Sequence, residues 1–183
     1  MKQDQLVIAN SQNLANWNCL NDTIMGGNSR AEVRSTPNGI FIEGNLVEEN
    51  GGFISCRSPI ISPPLNLSNY QGLELRVKGN GWKLKFAVSS SDQLTSFTEL
   101  FTGGLRWTVE FDTDVTGITV VQIPFSDLQP SIRAKAVPLP LTFNKSCIDQ
   151  LQLLYSKFGV SGNLNSSFKT GEVSIFLESI SAY

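Results

Sequence analysis

Residues 73–88 read Leu73-Glu74-Leu75-Arg76-Val77-Lys78-Gly79-Asn80-Gly81-Trp82-Lys83-Leu84-Lys85-Phe86-Ala87-Val88. Leu73, Leu75 and Val77 alternate with charged Glu74, Arg76 and Lys78, and beyond the glycines Leu84, Phe86 and Val88 alternate with Lys83 and Lys85. Successive side chains of an extended strand point to opposite faces, so a period of two predicts two half-buried strands. Asn and Gly both tolerate positive φ, so Gly79-Asn80-Gly81 predicts a hairpin turn between them. A dinucleotide-binding loop would need a third glycine and a following helix, and a strand pattern follows Gly81.

The same alternation recurs outward from this stretch. Trp107, Val109 and Phe111 alternate with Arg106, Thr108 and Glu110; Leu151, Leu153 and Tyr155 alternate with Gln150 and Gln152; Val173, Ile175 and Leu177 alternate with Glu172, Ser174 and Glu178. Trp107 falls on an apolar face and is expected in the core. Trp82 opens a strand beside a glycine turn and is expected to be the most exposed tryptophan. Phe176 lies on the polar side of its strand, where a loop covers it or it joins a contact surface. Thr36-Pro37-Asn38-Gly39 and Glu49-Asn50-Gly51-Gly52 are further turn signals, the second predicting a hairpin from Ile42–Val47 to Phe53–Arg57. Helical candidates are short, Asn13–Trp17 and Phe125–Leu128. About eight half-polar strands without crossover helices predict an all-β fold, a two-sheet antiparallel β-sandwich. A length of 183 residues fits one domain over 1–183.

Composition agrees and narrows the function. Hydrophobic residues make up 40%, enough for a core, while charged residues reach only 16% against about 25% in ordinary globular chains. The balance lies in 21 Ser and 15 Asn, residues of turns and caps. Histidine is absent, which excludes a Ser–His–Asp triad, a Cys–His pair, a His general base and any His-ligated metal. A net charge of -2 and a pI near 5.2 argue against nucleic acid or an anionic membrane as the main partner. Cys19, Cys56 and Cys147 are odd in number and scattered, so buried free thiols in a reducing compartment are expected. The N-terminal residues lack the apolar core of a signal peptide and the Arg-rich pattern of a transit peptide, and no apolar run is long enough to span a membrane. The expectation is a cytoplasmic protein, leaning towards a bacterium.

Paired carboxylates offer little chemistry. Glu48 and Glu49 are adjacent in an extended segment and face opposite ways, whereas glycoside hydrolysis needs two carboxylates flanking one bond. Asp112 and Asp114 could offer oxygens to Ca²⁺, but two ligands fall short of the six to eight it takes. No catalytic residue, metal or cofactor is expected.

The most unusual segment is Trp17-Asn18-Cys19-Leu20-Asn21-Asp22-Thr23-Ile24-Met25-Gly26-Gly27-Asn28-Ser29. Asn21 and Asp22 can bond nearby amides and lock a loop, and Gly26-Gly27 permits backbone that other residues resist. Two readings stand: a bonded loop plugging one end of the sandwich, or a preformed contact surface with Met25 as a flexible apolar anchor.

Asn21-Asp22-x-x-Met25-Gly26-Gly27-x-Ser29 resembles the signature loop of the complex I intermediate-associated protein 30 family. Asn50-Gly51-Gly52-Phe53 with Arg57, Tyr70-x-Gly72-Leu73-x-Leu75-Arg76-Val77-Lys78-Gly79-x-Gly81, Trp107 with Ile123-Pro124-Phe125, then Pro130 and Arg133, and Ile180-x-Ala182-Tyr183 resemble its later motifs in order. The chain departs from the family pattern in reading Arg133-Ala134 where Arg-Gly is usual, and Leu128-Gln129-Pro130 where Phe-x-Pro is usual. The resemblance implies a galactose-binding-like jelly roll and a non-enzymatic assembly factor or chaperone for a membrane redox complex, an NADH dehydrogenase-type complex I or a photosynthetic complex. It implies protein subunits as partners, no nucleic acid, and membrane contact only through the client. It points to Asn21, Asp22, Met25, Gly26, Gly27, Ser29, Asn50, Gly51, Gly52, Phe53, Arg57 and Arg133 as partner-binding or loop-shaping residues. Many domains of this fold bind carbohydrate, so a carbohydrate-binding module is the alternative; it would expose Trp82 or Tyr70 beside Asn and Asp in one groove.

Overall fold

The computed structural model describes residues 4–92 and 104–183. Two antiparallel sheets pack face to face. The first runs in the order β3 (Arg30–Thr36), β4 (Gly39–Leu46), β13 (Gly171–Ala182), β6 (Gly72–Lys78) and β9 (Thr119–Pro124). The short β1 (Leu6–Ala9) also pairs with β13, beyond the stretch that β4 occupies. The second runs β11 (Lys135–Ala136), β10 (Gln129–Ile132), β8 (Leu105–Asp112), β7 (Lys83–Ser90), β12 (Ile148–Ser156), β5 (Phe53–Arg57) and β2 (Asn18–Cys19). The architecture is the predicted two-sheet β-sandwich.

The alternating residues form its core. Leu73, Leu75 and Val77 of β6 meet Leu84, Phe86 and Val88 of β7, and all six are fully buried. Leu151, Leu153 and Tyr155 of β12 and Trp107 of β8 join the same cluster, as the patterns predict. In β13 a register shift between Leu177 and Ser179 resets the alternation, so Ile180 and Ala182 point inward after Val173, Ile175 and Leu177. A bulge inserts one residue and flips the faces that follow it.

Two predicted hairpins are instead crossovers between the sheets. Asn80 and Gly81 do take positive φ, 56° and 83°, but β6 is already flanked by β13 and β9. The chain therefore reverses into the other sheet, where β7 lies between β8 and β12. The Asn80 amide fastens the turn by donating to the Ser174 carbonyl at 2.7 Å. Likewise β4 lies between β3 and β13, so Glu49–Gly52 delivers β5 to the second sheet rather than back onto β4. Thr36–Gly39 is a true hairpin, with Thr36 opposite Gly39. An Asn-Gly signal fixes a reversal of direction; which strand edge is vacant decides the pairing.

Other corrections are local. The first helix is α1 (Ser11–Leu14), two residues ahead of the predicted Asn13–Trp17, because Asn10 caps it and exchanges side-chain bonds with Asn13. Phe125–Asp127 forms a 3-10 turn, close to the expected Phe125–Leu128. Trp82 is the most exposed of the three tryptophans, as expected, since Trp17 and Trp107 are buried; it is nonetheless half-buried and stacks on Tyr155, with ring centroids 4.9 Å apart and planes at 11°. Phe176 packs on Phe41 across the outer face at 4.8 Å, with the Arg34 guanidinium over the Phe41 ring. Only Cys56 is a buried thiol, while Cys19 and Cys147 are half-buried. No helix among the described residues is long and apolar enough to cross a membrane.

Candidate functional site

The segment Asp22–Met25 forms a 3-10 turn ended by Gly26 at φ 87°. Its chemistry centres on Asp22, whose side chain is fully buried. Oδ1 accepts the Ser29 amide at 2.9 Å. Oδ2 accepts the Ser29 hydroxyl at 2.6 Å, the Gly52 amide at 2.7 Å and the Phe53 amide at 3.4 Å. Burial pushes this carboxyl up, but the Ser29 hydroxyl and the three amides outweigh it and hold it below its ordinary value. Ser29 carries the bonding further: its hydroxyl, whose one proton goes to Asp22, accepts the Val47 amide at 2.9 Å. A Cβ on Gly27 or on Gly51 would overlap the Asp22 carboxylate, which explains glycine at both positions through close approach.

Asp22 is thus a clasp between the 3-10 loop and the β4–β5 crossover. Six of the candidate residues, Asp22, Gly27, Ser29, Gly51, Gly52 and Phe53, build it. Asn21 bonds the Ala31 carbonyl beside it, and Asn50 holds the crossover turn at φ 57°. Met25 stays outside, 65% exposed next to Ile24 at 70%.

Arg57 and Arg133 belong to a different feature, a groove of about 290 Å³ across the outer face of the second sheet. Strand register sets its floor. Arg57 lies opposite Gln152, Gln152 opposite Ala87, and Ala87 opposite Thr108; in the next row Leu154 lies opposite Lys85 and Lys85 opposite Glu110. Leu20 and Ile24 of the clasped loop close one side, and Val160, Arg106 and the Arg133-Ala134 turn contribute to its lining. The Arg133-Ala134 turn joins β10 to β11 with positive φ at both residues, 49° and 61°.

Lys85 is the unusual member. Only 7% of its surface is exposed, yet its ammonium makes no hydrogen bond or ion pair with any described residue. Burial pushes it down to about 8, and Glu110 across the strand pair pulls weakly the other way. Glu110 instead accepts the Val160 amide at 3.2 Å. Arg57, half-buried, likewise lacks an ion pair among the described residues.

Sequence reasoning missed Lys85, Arg106, Gln152 and Ser131 as groove residues. Each stands on the polar side of its own strand, but the order in which those strands pair is invisible in the chain. Tyr70 and Trp82, the rings expected beside a sugar groove, are absent from its lining and pack against the core. Of the paired carboxylates, Glu48 bonds Lys157 at 2.6 Å, Asp112 faces Lys83 at 3.7 Å, and Asp114 accepts the Thr119 hydroxyl at 3.3 Å.

These two sheets define a two-sheet antiparallel β-sandwich. The chain belongs to the Complex I intermediate-associated protein 30 family, which it matches over residues 6–175. No curated protein matches it in sequence. Among solved structures, it is similar to the family 11 carbohydrate-binding module of the cellulosomal cellulase Lic26A-Cel5E of Clostridium thermocellum, with a TM-score of 0.68 at 12% identity over 100% of this chain and 95% of that one. The Clostridium thermocellum family 11 module in complex with a β-1,3-1,4-mixed-linked tetrasaccharide gives 0.67 at 13% identity over 97% and 94%. The agarase AgWH50C gives 0.59 at 7% identity, over 99% of this chain and 25% of that one. At such identities the likeness establishes the fold.

Proposed function

We propose that this protein is a non-catalytic binding module that acts as an assembly factor for a membrane redox complex, an NADH dehydrogenase-type complex I or a photosynthetic complex. Family membership over nearly the whole chain carries the reading. The groove gives it a physical basis: aliphatic walls from Leu20, Ile24 and Leu154 beside the cations Lys85 and Arg57 offer both contact area and charge to a protein segment. Exposed Ile24 and Met25 extend the apolar surface at its mouth. Affinity purification of the tagged protein from its own cells in mild detergent, with quantitative mass spectrometry, tests the proposal. Partial sets of complex subunits are the expected recovery; bait alone would overturn it.

The carbohydrate-binding reading has one observation in its favour, the likeness to sugar-binding modules of the same fold. Against it, no aromatic ring lines the groove among the described residues, whereas sugar rings are commonly held by stacking on flat side chains. A glycan array with binding to neutral β-glucan would restore it.

A further inference from the structure

We propose that the groove on the seven-stranded sheet is an anion site for a carboxylate-bearing, extended polypeptide segment, with Lys85 and Arg57 receiving the carboxylates. Lys85 carries the inference. A lysine with only 7% of its surface exposed and no acceptor within bonding distance among the described residues carries a charge largely stripped of water, which is costly without a partner. A ligand anion would supply that partner. Arg57 stands on the same outer face, in the neighbouring row and two strands away, also without an ion pair among the described residues, and its planar fork suits a carboxylate held through two bonds.

The remaining lining selects the class of ligand. Leu20, Ile24 and Leu154 accept aliphatic side chains, while Gln152 in the Arg57 row, whose amide nitrogen already gives one bond to Ser55, keeps its amide oxygen for a peptide N–H. An acidic polysaccharide would share the anionic chemistry but gains little from aliphatic walls without a stacking ring. A neutral glycan would leave both cations unpaired. The groups around Lys85 have opposite signs: Glu110 from β8 opposes an anion, while Arg106 and Arg133 in the lining favour one. Glu110 is exposed and accepts the Val160 amide, and it forms no ion pair with Lys85.

The inference rests on the assembly-module reading for its choice of a protein ligand, and its test is separable. The full chain is titrated, by fluorescence anisotropy at low salt, with a labelled peptide of alternating glutamate and leucine, its glutamine–leucine counterpart, and labelled polygalacturonate. The acidic peptide is expected to bind at least tenfold tighter than either, to weaken as salt rises, and to lose at least tenfold in affinity in Lys85→Met and in Arg57→Met. Lys85→Met removes a buried charge and so folds, and Arg57→Met gives a second readout on a less buried residue. Equal binding of the glutamine peptide, tighter binding of polygalacturonate, or unchanged affinity in both variants would overturn the proposal. If the peptide fails while the purification above recovers partial complexes, the groove chemistry is wrong and the assembly reading stands; the reverse pair of results removes the assembly role and keeps the anion site.

Discussion

Lys85 shows what a single residue reveals when its environment is counted. Its ammonium falls from the ordinary 10.5 to about 8 because burial strips its water and Glu110 compensates only in part. That drop corresponds to about 3 kcal/mol. The sign is unfavourable to folding: below pH 8 both folded and unfolded chains carry the proton, and the full cost is in place. Between pH 8 and 10.5 the folded chain releases its proton first, so the unfolded state binds more protons and stability rises with pH. Lys85→Met is therefore expected to be more stable than the parent at pH 7 by about 2–3 kcal/mol and to lose the rise across that window. Denaturant unfolding at pH 7 and pH 9.5 measures both. A variant no more stable than the parent at pH 7 would mean the ammonium is better hydrated than its burial implies.

At the scale of elements, two turns and one strand pair carry separate consequences. The β10–β11 turn has positive φ at both central residues, the pattern of a type I′ turn, which favours Asn or Gly. Ala134 holds φ 61° with a Cβ in the way, so Ala134→Gly should raise stability by about 0.5–1 kcal/mol, visible as a higher midpoint at constant slope in urea. No change would mean that the turn relaxes without strain. In the β2–β5 pair Cys19 lies directly opposite Cys56. The Cys56 thiol bonds Cys19 and draws it below the ordinary thiol value, against burial and Glu32, while burial raises Cys147. Iodoacetamide at neutral pH should then alkylate Cys19 ahead of Cys147, and Cys56→Ala should slow Cys19; peptide mass spectrometry reads both rates.

The elements themselves were legible where a side chain's identity settles its environment. Leu73-Leu75-Val77 and Leu84-Phe86-Val88 declare an inner face because burial alone determines it. Asn80-Gly81 declares a reversal because φ alone determines it. What each strand pairs with was not legible, because both predicted hairpins depended on which edges β13, β9 and β12 had already taken. The partial cover of Trp82 was not legible for a related reason: Tyr155, on which it stacks, is 73 positions further along the chain.

Across the whole molecule the candidate residues divide into a clasp and a groove, and this division also lay beyond the sequence. The motif around Asp22 was visible as a polar, glycine-rich loop, but its carboxylate acts on amides some thirty residues away at Gly52 and Phe53. The division makes the two sets separable by experiment. Asp22→Ala leaves the Ser29 and Gly52 amides without acceptors in a buried place, a loss of about 3 kcal/mol, or roughly 6–12 °C in Tm for a chain of this length. Because the folded carboxyl titrates below its ordinary value of 3.8, its stabilisation is complete above that value and disappears as pH falls through the lower, folded one. The parent should therefore lose stability below about pH 4 with a step that Asp22→Asn lacks. Arg57→Met, by contrast, touches no part of the clasp and should leave Tm within about 2 °C while reducing client recovery. Thermal melts from pH 7 to pH 3, run beside the purification on the same variants, compare the two. If Arg57→Met lowers Tm as far as Asp22→Ala does, the groove arginine is a structural member of the sheet, and the separation between a clasp that folds the protein and a groove that engages its client fails.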